Sequence, residues 1–197
     1  MFMKKALNSS VKAVLALSLV MVVLMLLAAT AVLYDLRQRE LAHAKSEILA
    51  EQTTRTFEGV AIMMSGARER LSDNVGRRLE LNSYPVSLLL QSRIAGLPQV
   101  KSLFVVDANG LGVNSSRSDF IQSLPLDQRS FFRYFVDGGK DEIFISAPER
   151  ARVDGQWTYY MSVRLLDADG QFRGLLVASI SVDYFESLYD GLGLDPT

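Results

Sequence analysis

The longest uncharged stretch of the chain lies near its start. No charged residue occurs from Ala13 to Tyr34, and Leu, Val, Ala and Met dominate these positions. A helix rising about 1.5 Å per residue over this stretch is long enough for a hydrocarbon core of roughly 30 Å. The pattern predicts a transmembrane helix at 13–34.

The charges on either side of this stretch predict its orientation. Lys4, Lys5 and Lys12 precede it, whereas acidic and basic residues nearly balance just after it. By the positive-inside rule, residues 1–12 form a cytoplasmic tail and the rest of the chain is exported. The alternative is a cleaved signal peptide, because Ala29-Thr30-Ala31 resembles a cleavage site, although the apolar stretch exceeds the roughly 7 to 15 residues usual for such peptides.

Residues 35–95 carry a helical pattern. Leu, Ala, Glu, Arg and Gln are frequent, and no Pro occurs before Pro85, so we expect a long stalk helix and then a second helix from Pro85 to Ile94. The match to a heptad repeat is poor, which favours a helix docked on its own domain over a free coiled coil. A homodimer seam remains the other interpretation of its apolar row, Leu41, Ile48, Leu49 and Val60.

Beyond Pro98 the pattern changes to short extended segments separated by turns. Five strands are predicted, at 102–107, 112–116, 143–147, 157–165 and 173–181, with a short helix at 126–136 between the second and third. Turns such as Asp107-Ala108-Asn109-Gly110 and Asp167-Ala168-Asp169-Gly170 are typical of hairpins, which require an antiparallel sheet. We therefore predict an α+β fold whose sheet domain spans residues 96–190.

The fourth predicted strand alternates strongly between its two faces. One face carries Trp157, Tyr159, Met161, Val163 and Leu165, which suits packing against the long helix. The other carries a mixture of polar and apolar side chains, as a small-molecule pocket would.

Composition and charge exclude several functions. After the first three lysines, 18 basic residues face 22 acidic ones, and such a balance argues against nucleic acid as a partner. The absence of Cys and the presence of a single His, His43, leave little basis for a metal centre or a nucleophilic site. Asp107, Asp167 and Asp169 are read as turn residues. No catalytic activity and no cofactor are predicted for this segment.

One segment combines cations with aromatic side chains. Residues 129–135 read Arg-Ser-Phe-Phe-Arg-Tyr-Phe. A guanidinium beside aromatic walls can hold a carboxylate, because its forked donors match the two oxygens. The alternative, favoured by spacing alone, is an amphipathic helix with Phe in the core and Arg in solvent.

A series of motifs resembles the double-Cache sensor family, also called PDC domains, whose modules are PAS-like. The agreement covers roughly residues 36–190, behind a transmembrane helix, and is closest to the first, membrane-distal module of bacterial diguanylate cyclases and sensor histidine kinases. The matching segments are Leu103 to Gly110, Asn114-Ser115-Ser116, Arg129-x-Phe131-Phe132, Ile143 to Pro148, Gly155-x-Trp157, Ser162-x-Arg164, Asp169-Gly170-x-Phe172-x-Gly174 and Asp183-Tyr184-Phe185.

The resemblance implies a ligand-binding site. In amino-acid-binding relatives an Arg and an aromatic residue two positions later hold the ligand carboxylate, and an Asp after the last strand holds its ammonium group. Arg129, Phe131 and Asp183 occupy these positions. A Tyr and an Asp of those relatives correspond to Phe144 and Ser146, and the loss of this ammonium partner favours a plain carboxylate over an α-amino acid as the ligand. The remaining predicted contacts are Phe132, Tyr160 and Arg164, the last of which fits a pocket wall and a surface ion pair equally well.

The resemblance also implies a role in signalling. We expect a membrane-anchored extracytoplasmic sensor of a small anion, in the bacterial inner membrane, that dimerises through its stalk. Diguanylate cyclase is the first expected output, histidine kinase the second and chemoreceptor the third. Residues 191–197 lie where relatives enter a second module, so we interpret the chain as a fragment. The alternative function is a structural or protein-binding module whose pocket is filled by side chains.

Overall fold

The computed structural model describes residues 2–75, 80–119 and 123–191, with side chains given from residue 21 onward except at 22, 23, 42 and 73–75. These residues form four helices and seven strands. In chain order they are α1 (Phe2–Val75), α2 (Tyr84–Ile94), β1 (Val100–Asp107), β2 (Leu111–Ser115), β3 (Leu124–Pro125), α3 (Ser130–Val136), β4 (Ile143–Ile145), β5 (Glu149–Arg150), β6 (Trp157–Leu166), β7 (Phe172–Ser181) and α4 (Val182–Asp190).

The chain divides into two compact units, residues 1–50 and 51–197. The first unit contains the N-terminal part of α1, on which Leu36, Leu41 and Ile48 are exposed. The second contains the rest of α1 and all other elements. The predicted linker at 191–197 lies outside the described residues except for Gly191.

All strand pairs are antiparallel, as the hairpin turns predicted. The sheet order is β3-β2-β1-β7-β6-β4, and β5 pairs separately with β6. The prediction of five strands was wrong in number, because β3 and β5 are strands of two residues each. A strand of two residues is too short to show an alternating pattern, which explains why these two were missed.

One face of the sheet packs against α1 and α2. On α1, Val60, Met64, Ala67 and Leu71 are fully buried, at the spacing of one helix face. They form a core with Met161, Val163 and Leu165 of β6, together with residues of β1, β7 and α2. The predicted docking of the long helix on this face of the fourth strand is confirmed for these residues. Trp157, predicted on the same face, is half exposed and lies under the Arg150 guanidinium.

The opposite face of the sheet packs against α3. Phe131, Phe132 and Phe135 of this helix are buried in a second core with Phe104 and Tyr160. The predicted helix at 126–136 begins only at Ser130, because Leu126 to Arg129 form a turn closed by a 3.0 Å hydrogen bond from the Arg129 amide to the Leu126 carbonyl. Arg129 is thus the extended residue just before α3.

Helix α4 was not predicted as a helix. It begins after Ser181, whose hydroxyl accepts a hydrogen bond from the Tyr184 amide at 3.3 Å. Its Phe185 is buried and stacks on Phe57 of α1 at a centroid distance of 5.5 Å. The capping Ser and the Asp in the first turn are the sequence signals of this helix.

The membrane prediction is not decided by the fold. Among the described residues, no helix combines the length and the sustained apolar character that a membrane span requires. The span at 13–34 stays a prediction.

Candidate functional site

A cavity opens on the α3 side of the sheet. Its volume is about 60 Å³, and because one water needs roughly 10 to 15 Å³ on this scale, it holds several waters or one small organic ion. Its walls come from the strands β1, β2, β3, β6 and β7, from α3 and the residues before it, and from the loops after β2 and β5. The lining residues are Lys101, Ser102, Phe104, Ser115, Arg117, Asp119, Leu124, Leu126, Arg129, Phe131, Ala151, Arg152, Val153, Asp154, Thr158, Tyr160 and Ser179.

The floor of the cavity is aromatic. The ring centroids of Phe131 and Tyr160 lie 4.9 Å apart, and Phe104 meets both rings edge on at about 6 Å. Beside them, the Ser102 and Ser179 hydroxyls share a buried 2.7 Å hydrogen bond across β1 and β7. The floor therefore excludes water around a bound group while offering few competing polar atoms.

Arg129 is held in place by three neighbours. One terminal nitrogen, Nη2, lies 2.8 Å from Glu149 Oε2 and donates to the Arg150 carbonyl at 3.1 Å. The guanidinium carbon lies 5.2 Å from the centroid of the Tyr160 ring. Glu149 also accepts a hydrogen bond from the Ser130 hydroxyl. Arg129 is thus fixed by an ion pair and a ring before any ligand arrives.

The same guanidinium keeps one donor without a partner. Arg129 Nε is buried and has no hydrogen-bond partner among the described residues. A buried N–H that makes no hydrogen bond destabilises the fold unless a water or a ligand accepts it. Because Arg129 lines the cavity, an acceptor group bound there would satisfy this donor.

Arg117, two residues after the end of β2, contributes a second guanidinium to the cavity lining. Arg117 forms a two-pronged pair with Asp119, Nε to Oδ1 at 2.8 Å and Nη2 to Oδ2 at 2.5 Å. The hydrogen bonds from Arg117 lower the pKa of Asp119, and the same bonds raise the pKa of Arg117. Both groups are therefore charged at neutral pH.

Two further cations complete the wall. Lys101 Nζ lies 2.8 Å from Asp154 Oδ2 and donates to Gln156 at 2.8 Å. Burial acts to raise the pKa of Asp154, but the hydrogen bonds from Lys101 and the Gln156 amide outweigh it, and the pKa lies below its usual range. Arg152 donates to the Pro125 carbonyl at 2.9 Å and pairs with no carboxylate of the described residues.

Tyr160 is the one phenol that lines the cavity. Burial raises its pKa above the usual value of about 10, partly offset by the Arg129 charge. The group is a neutral hydroxyl at physiological pH and can donate a hydrogen bond. In sum, the site offers fixed cations, a neutral hydroxyl and aromatic walls, a combination suited to binding a small anion.

Three of the eight residues predicted for the site line this cavity: Arg129, Phe131 and Tyr160. The other five lie elsewhere. Phe132 is buried in the core under α3, and Phe144 stacks on Tyr134 at 4.3 Å. Ser146 is buried, where it donates to the Ala147 carbonyl at 2.6 Å and accepts from the Tyr160 amide at 3.0 Å.

The last two predicted residues lie outside the lining as well. Arg164 lies over the Phe135 ring and donates to the Lys140 carbonyl at 3.3 Å. Asp183 is exposed in the first turn of α4. The carboxylates that do line the cavity are Asp119 and Asp154, neither of which was predicted.

The sequence carried weak signals for the residues that were missed. Ser102 and Ser179 are polar positions within otherwise apolar strands, which is where a sheet faces a pocket. Arg117 follows the Asn-Ser-Ser motif directly, but a single Arg after a strand has no distinctive spacing. Arg152 and Asp154 lie in a loop, and only the pairing of β5 with β6 brings that loop to the cavity.

Comparison with known proteins places this fold among sensor domains. No protein-family model matches the chain, and no curated protein is significantly similar to it in sequence. The extracellular domain of rpHK1S-Z16, assigned as a histidine kinase, matches 74% of the chain and 58% of its own, with 29% identity and a TM-score of 0.65.

Two further solved structures have the same fold. An extracellular ligand-binding receptor from Desulfohalobium retbaense matches 72% of this chain and 25% of its own, with 18% identity and a TM-score of 0.63. The ligand-binding domain of the Pseudomonas fluorescens chemoreceptor CtaA, in complex with L-isoleucine, matches 73% and 55%, with 14% identity and a TM-score of 0.55.

These neighbours define the class of the protein: it has the fold of the extracellular ligand-binding domains of bacterial receptors. The predicted resemblance to Cache, or PDC, sensor domains is confirmed. The fold is that of ligand-binding sensor domains. The chain spans between a quarter and three fifths of the length of the three structures.

Proposed function

We propose that this chain is the extracytoplasmic sensor of a membrane-anchored signalling protein and that it binds a small carboxylate or amino acid in the cavity described above. The observation that carries the proposal is Arg129, fixed by Glu149 and Tyr160 yet keeping a buried N–H without an acceptor. A carboxylate oxygen is a strong acceptor for such a group. The L-isoleucine bound by the CtaA domain supports an amino acid or a related acid as the ligand class.

Within this proposal, Arg129 binds the ligand carboxylate, while Phe131 and Tyr160 form the walls. Ser146 acts indirectly, because its hydroxyl holds the backbone of Tyr160. Phe132 holds α3 on the core, and Phe144 packs against the same helix through the Tyr134 ring. Arg164 and Asp183 reach the ligand only in a conformation other than this one, since neither lines the cavity.

The output of the complete protein is a further part of the proposal. The similarity to a histidine kinase domain and to a chemoreceptor domain favours those two outputs over the diguanylate cyclase that we expected first. Sequencing of the gene beyond the codon of Thr197 tests this proposal, because a kinase, a cyclase and a chemoreceptor carry different motifs.

Membrane anchoring through residues 13–34 rests on the sequence pattern. We expect the full chain to remain in the membrane pellet after alkaline carbonate extraction. A variant lacking residues 13–34 is expected in the supernatant. Recovery of the full chain in the supernatant would contradict the anchor.

Signalling requires a ligand that binds two conformations of the domain unequally. The cavity and α1 lie on opposite faces of the same sheet, so a change in the sheet reaches α1 directly. We propose that ligand binding alters the packing of α1 on the sheet and that the altered helix carries the signal.

Thermal unfolding tests the binding proposal. The full chain, purified in mild detergent, is screened against carboxylates and amino acids, since a ligand at 100 times its dissociation constant stabilises the folded state by about 2.7 kcal/mol. Arg129→Ala is expected to abolish the stabilisation by the best ligand. Arg129→Lys is expected to fail as well, because an ammonium group cannot reproduce the forked donors.

Arg133→Ala is the matched control. Arg133 lies on α3 in an exposed ion pair with Asp137 at 2.7 Å and does not line the cavity, so this variant is expected to keep the full ligand effect. Equal losses in Arg129→Ala and Arg133→Ala would contradict the role of Arg129. The absence of any stabilisation across the screen would favour the structural module instead.

A further inference from the structure

A second pocket lies on the face of the sheet that packs against α1, opposite the cavity, and we call it the α1-side pocket. Its volume is about 200 Å³, against about 60 Å³ for the cavity. Its lining residues come from α1, β4, β6 and α4, all within the compact unit of residues 51–197. Four of them are aromatic: Phe57, Tyr159, Phe185 and Tyr189.

These aromatic side chains form a connected group. Phe57 meets the Tyr159 ring edge on, at a centroid distance of 6.0 Å, and stacks on Phe185 at 5.5 Å. The Tyr189 ring lies 6.3 Å from Phe185, and its hydroxyl shares a 2.9 Å hydrogen bond with the Thr53 hydroxyl. This bond joins α4 to α1 and restricts the Tyr189 ring. The aromatic walls are therefore in place before any ligand binds.

The electrostatic character of the α1-side pocket is opposite to that of the cavity. Glu186 is the one charged residue among the described residues of its lining. This exposed carboxylate forms no ion pair within the described part of the chain. Helix α4 also carries Asp183 and Asp190, three residues before and four residues after Glu186, and it has no Lys or Arg. Like charges at these spacings repel one another, so a cation bound beside Glu186 relieves the repulsion.

Aromatic walls next to an unpaired carboxylate suit one ligand chemistry. The face of an aromatic ring attracts a cation, and an alkylated ammonium group also buries apolar surface against the ring. A neutral apolar molecule uses the walls but not Glu186. A metal ion uses Glu186 but gains little from the apolar walls. An organic cation uses both.

We propose that the α1-side pocket binds a free organic cation with an alkylated ammonium group, held by the aromatic rings of the lining and by the Glu186 carboxylate. The inference goes beyond the proposed function, because this site lies on the other face of the sheet and takes a ligand of opposite charge. Phe57 belongs to α1, whereas Phe185 and Tyr189 belong to α4. A cation among these rings therefore stabilises the contact between the two helices.

Choline and neohexyl alcohol test the proposal, since the alcohol has the shape of choline with a carbon in place of the charged nitrogen. Binding is measured by calorimetry on the full chain in a maltoside detergent, which carries no ammonium group. Choline is expected to bind at least roughly fivefold more tightly than the alcohol, the effect of a cation held by aromatic rings. Equal affinities, or no binding of choline, would overturn the proposal.

Glu186→Gln tests the counter-ion. It is expected to weaken choline binding by about three- to tenfold and to leave the affinity for neohexyl alcohol unchanged, because only choline is charged. Asp190→Asn is the matched control, since it removes the same charge from the same helix and Asp190 does not line the pocket. This variant is expected to keep the choline affinity within about twofold. Equal losses in the two variants overturn the role of Glu186.

Two substitutions at Tyr189 test the aromatic wall. Tyr189→Phe loses the bond to Thr53 but keeps the ring, so it is expected to retain most of the choline affinity. Tyr189→Leu keeps apolar bulk without a ring and is expected to weaken choline by about threefold or more relative to Tyr189→Phe. Equal affinities overturn the contribution of the ring. If thermal unfolding shows that Tyr189→Leu does not fold, the Glu186→Gln arm still decides.

Glycerophosphocholine distinguishes a free cation from a lipid headgroup. It carries the ammonium group of choline beside a phosphate, which the carboxylates of α4 repel. We expect it to bind more weakly than choline. Tighter binding of glycerophosphocholine overturns the free cation and assigns the pocket to a lipid headgroup.

Discussion

Gly110 lies where the β1 to β2 turn meets the turn before α3. It ends the β1 to β2 turn with φ of +83°, and its amide donates to the Asp107 carbonyl at 3.0 Å. A Cβ at this position would lie 2.6 Å from the Cβ of Asp127. Gly110 therefore has two reasons to be glycine, the positive φ and the close approach of the turn before α3.

Gly110→Ala is expected to destabilise the fold by about 2 to 5 kcal/mol, since a left-handed backbone and an overpacked contact both cost free energy. Gly155→Ala is the control, because Gly155 also has a positive φ, +71°, but nothing lies within 4 Å of the added Cβ. Its cost is about 1 to 2 kcal/mol. Thermal unfolding of both variants checks the difference, and equal losses would show that the Asp127 contact relaxes freely.

Tyr160, which lines the cavity, is expected to make the stability of the fold depend on pH in the alkaline range. Its pKa is higher in the folded state than in the unfolded chain, mainly because it is buried. The folded state then holds the phenol proton more tightly, so this contribution to stability is present below pH of about 10 and is lost as the pH rises through the folded-state pKa. Comparison of Tyr160→Phe with the wild type, by phenolate absorbance and by thermal stability between neutral and strongly alkaline pH, is expected to isolate this loss. An identical pH profile in the two proteins would contradict it.

Residues differ in how far their roles are visible from sequence. Asp107 and Asp167 were correctly interpreted as turn residues, because their side chains accept from backbone amides two and four positions ahead. Such bonds are local, and sequence shows local chemistry well. Arg117 and Arg152 were missed because their meeting in one cavity depends on strand pairings that a linear pattern does not contain.

At the scale of elements, α1 provides the clearest contrast between a buried and an exposed face. Met64 is fully buried against the sheet, whereas Ile62, two residues earlier, is 74% exposed. Met64→Ala is expected to cost about 2 to 5 kcal/mol of stability, and Ile62→Ala less than about 0.5 kcal/mol. The melting temperatures of the two variants check this, and a comparable loss at Ile62 would show that α1 has a further partner.

Long elements were predictable and short ones were not. The long strands rich in apolar residues, β1, β6 and β7, were found to within about two residues at each end, since both faces of each are buried, one against the helices α1 and α2 and the other against α3. Strands β3 and β5 follow from pairing with a neighbour rather than from their own sequences. The prediction of site residues was limited for the same reason, because β5 carries Glu149 and leads into the loop of Arg152 and Asp154.

At the scale of the whole molecule, the apolar row of the stalk divides into two parts. Val60 is fully buried in the core of residues 51–197, whereas Leu41 and Ile48 are exposed on residues 1–50. The structure thus assigns Val60 to docking within the chain. Leu41 and Ile48 remain candidates for the homodimer seam.

Because the chain has no Cys, single substitutions can test the homodimer. We expect Leu41→Cys to form crosslinked dimers in membranes under mild oxidant, because exposed apolar positions on paired stalks meet. Val60→Cys is expected to remain monomeric, since its side chain is buried within one chain. If the cysteine variants at Leu41, Ala44 and Ile48 all fail to crosslink, this result contradicts the stalk dimer.

Strand β6 has the cavity on one face and the core that contains α1 residues on the other. Tyr160 forms part of the cavity floor, and the next residue, Met161, belongs to the core that contains Val60 and Met64 of α1. Tyr160 and Met161 are neighbours in one strand, with no hinge or loop between them. A molecule that displaces Tyr160 is therefore expected to disturb the packing of Met161 in the core that holds α1. Thermodynamic coupling is reciprocal, so under the proposed ligand binding a residue outside the cavity lining, such as Met161, is expected to contribute to ligand affinity, and an occupied cavity is expected to change the stability of the packing of α1 on the sheet.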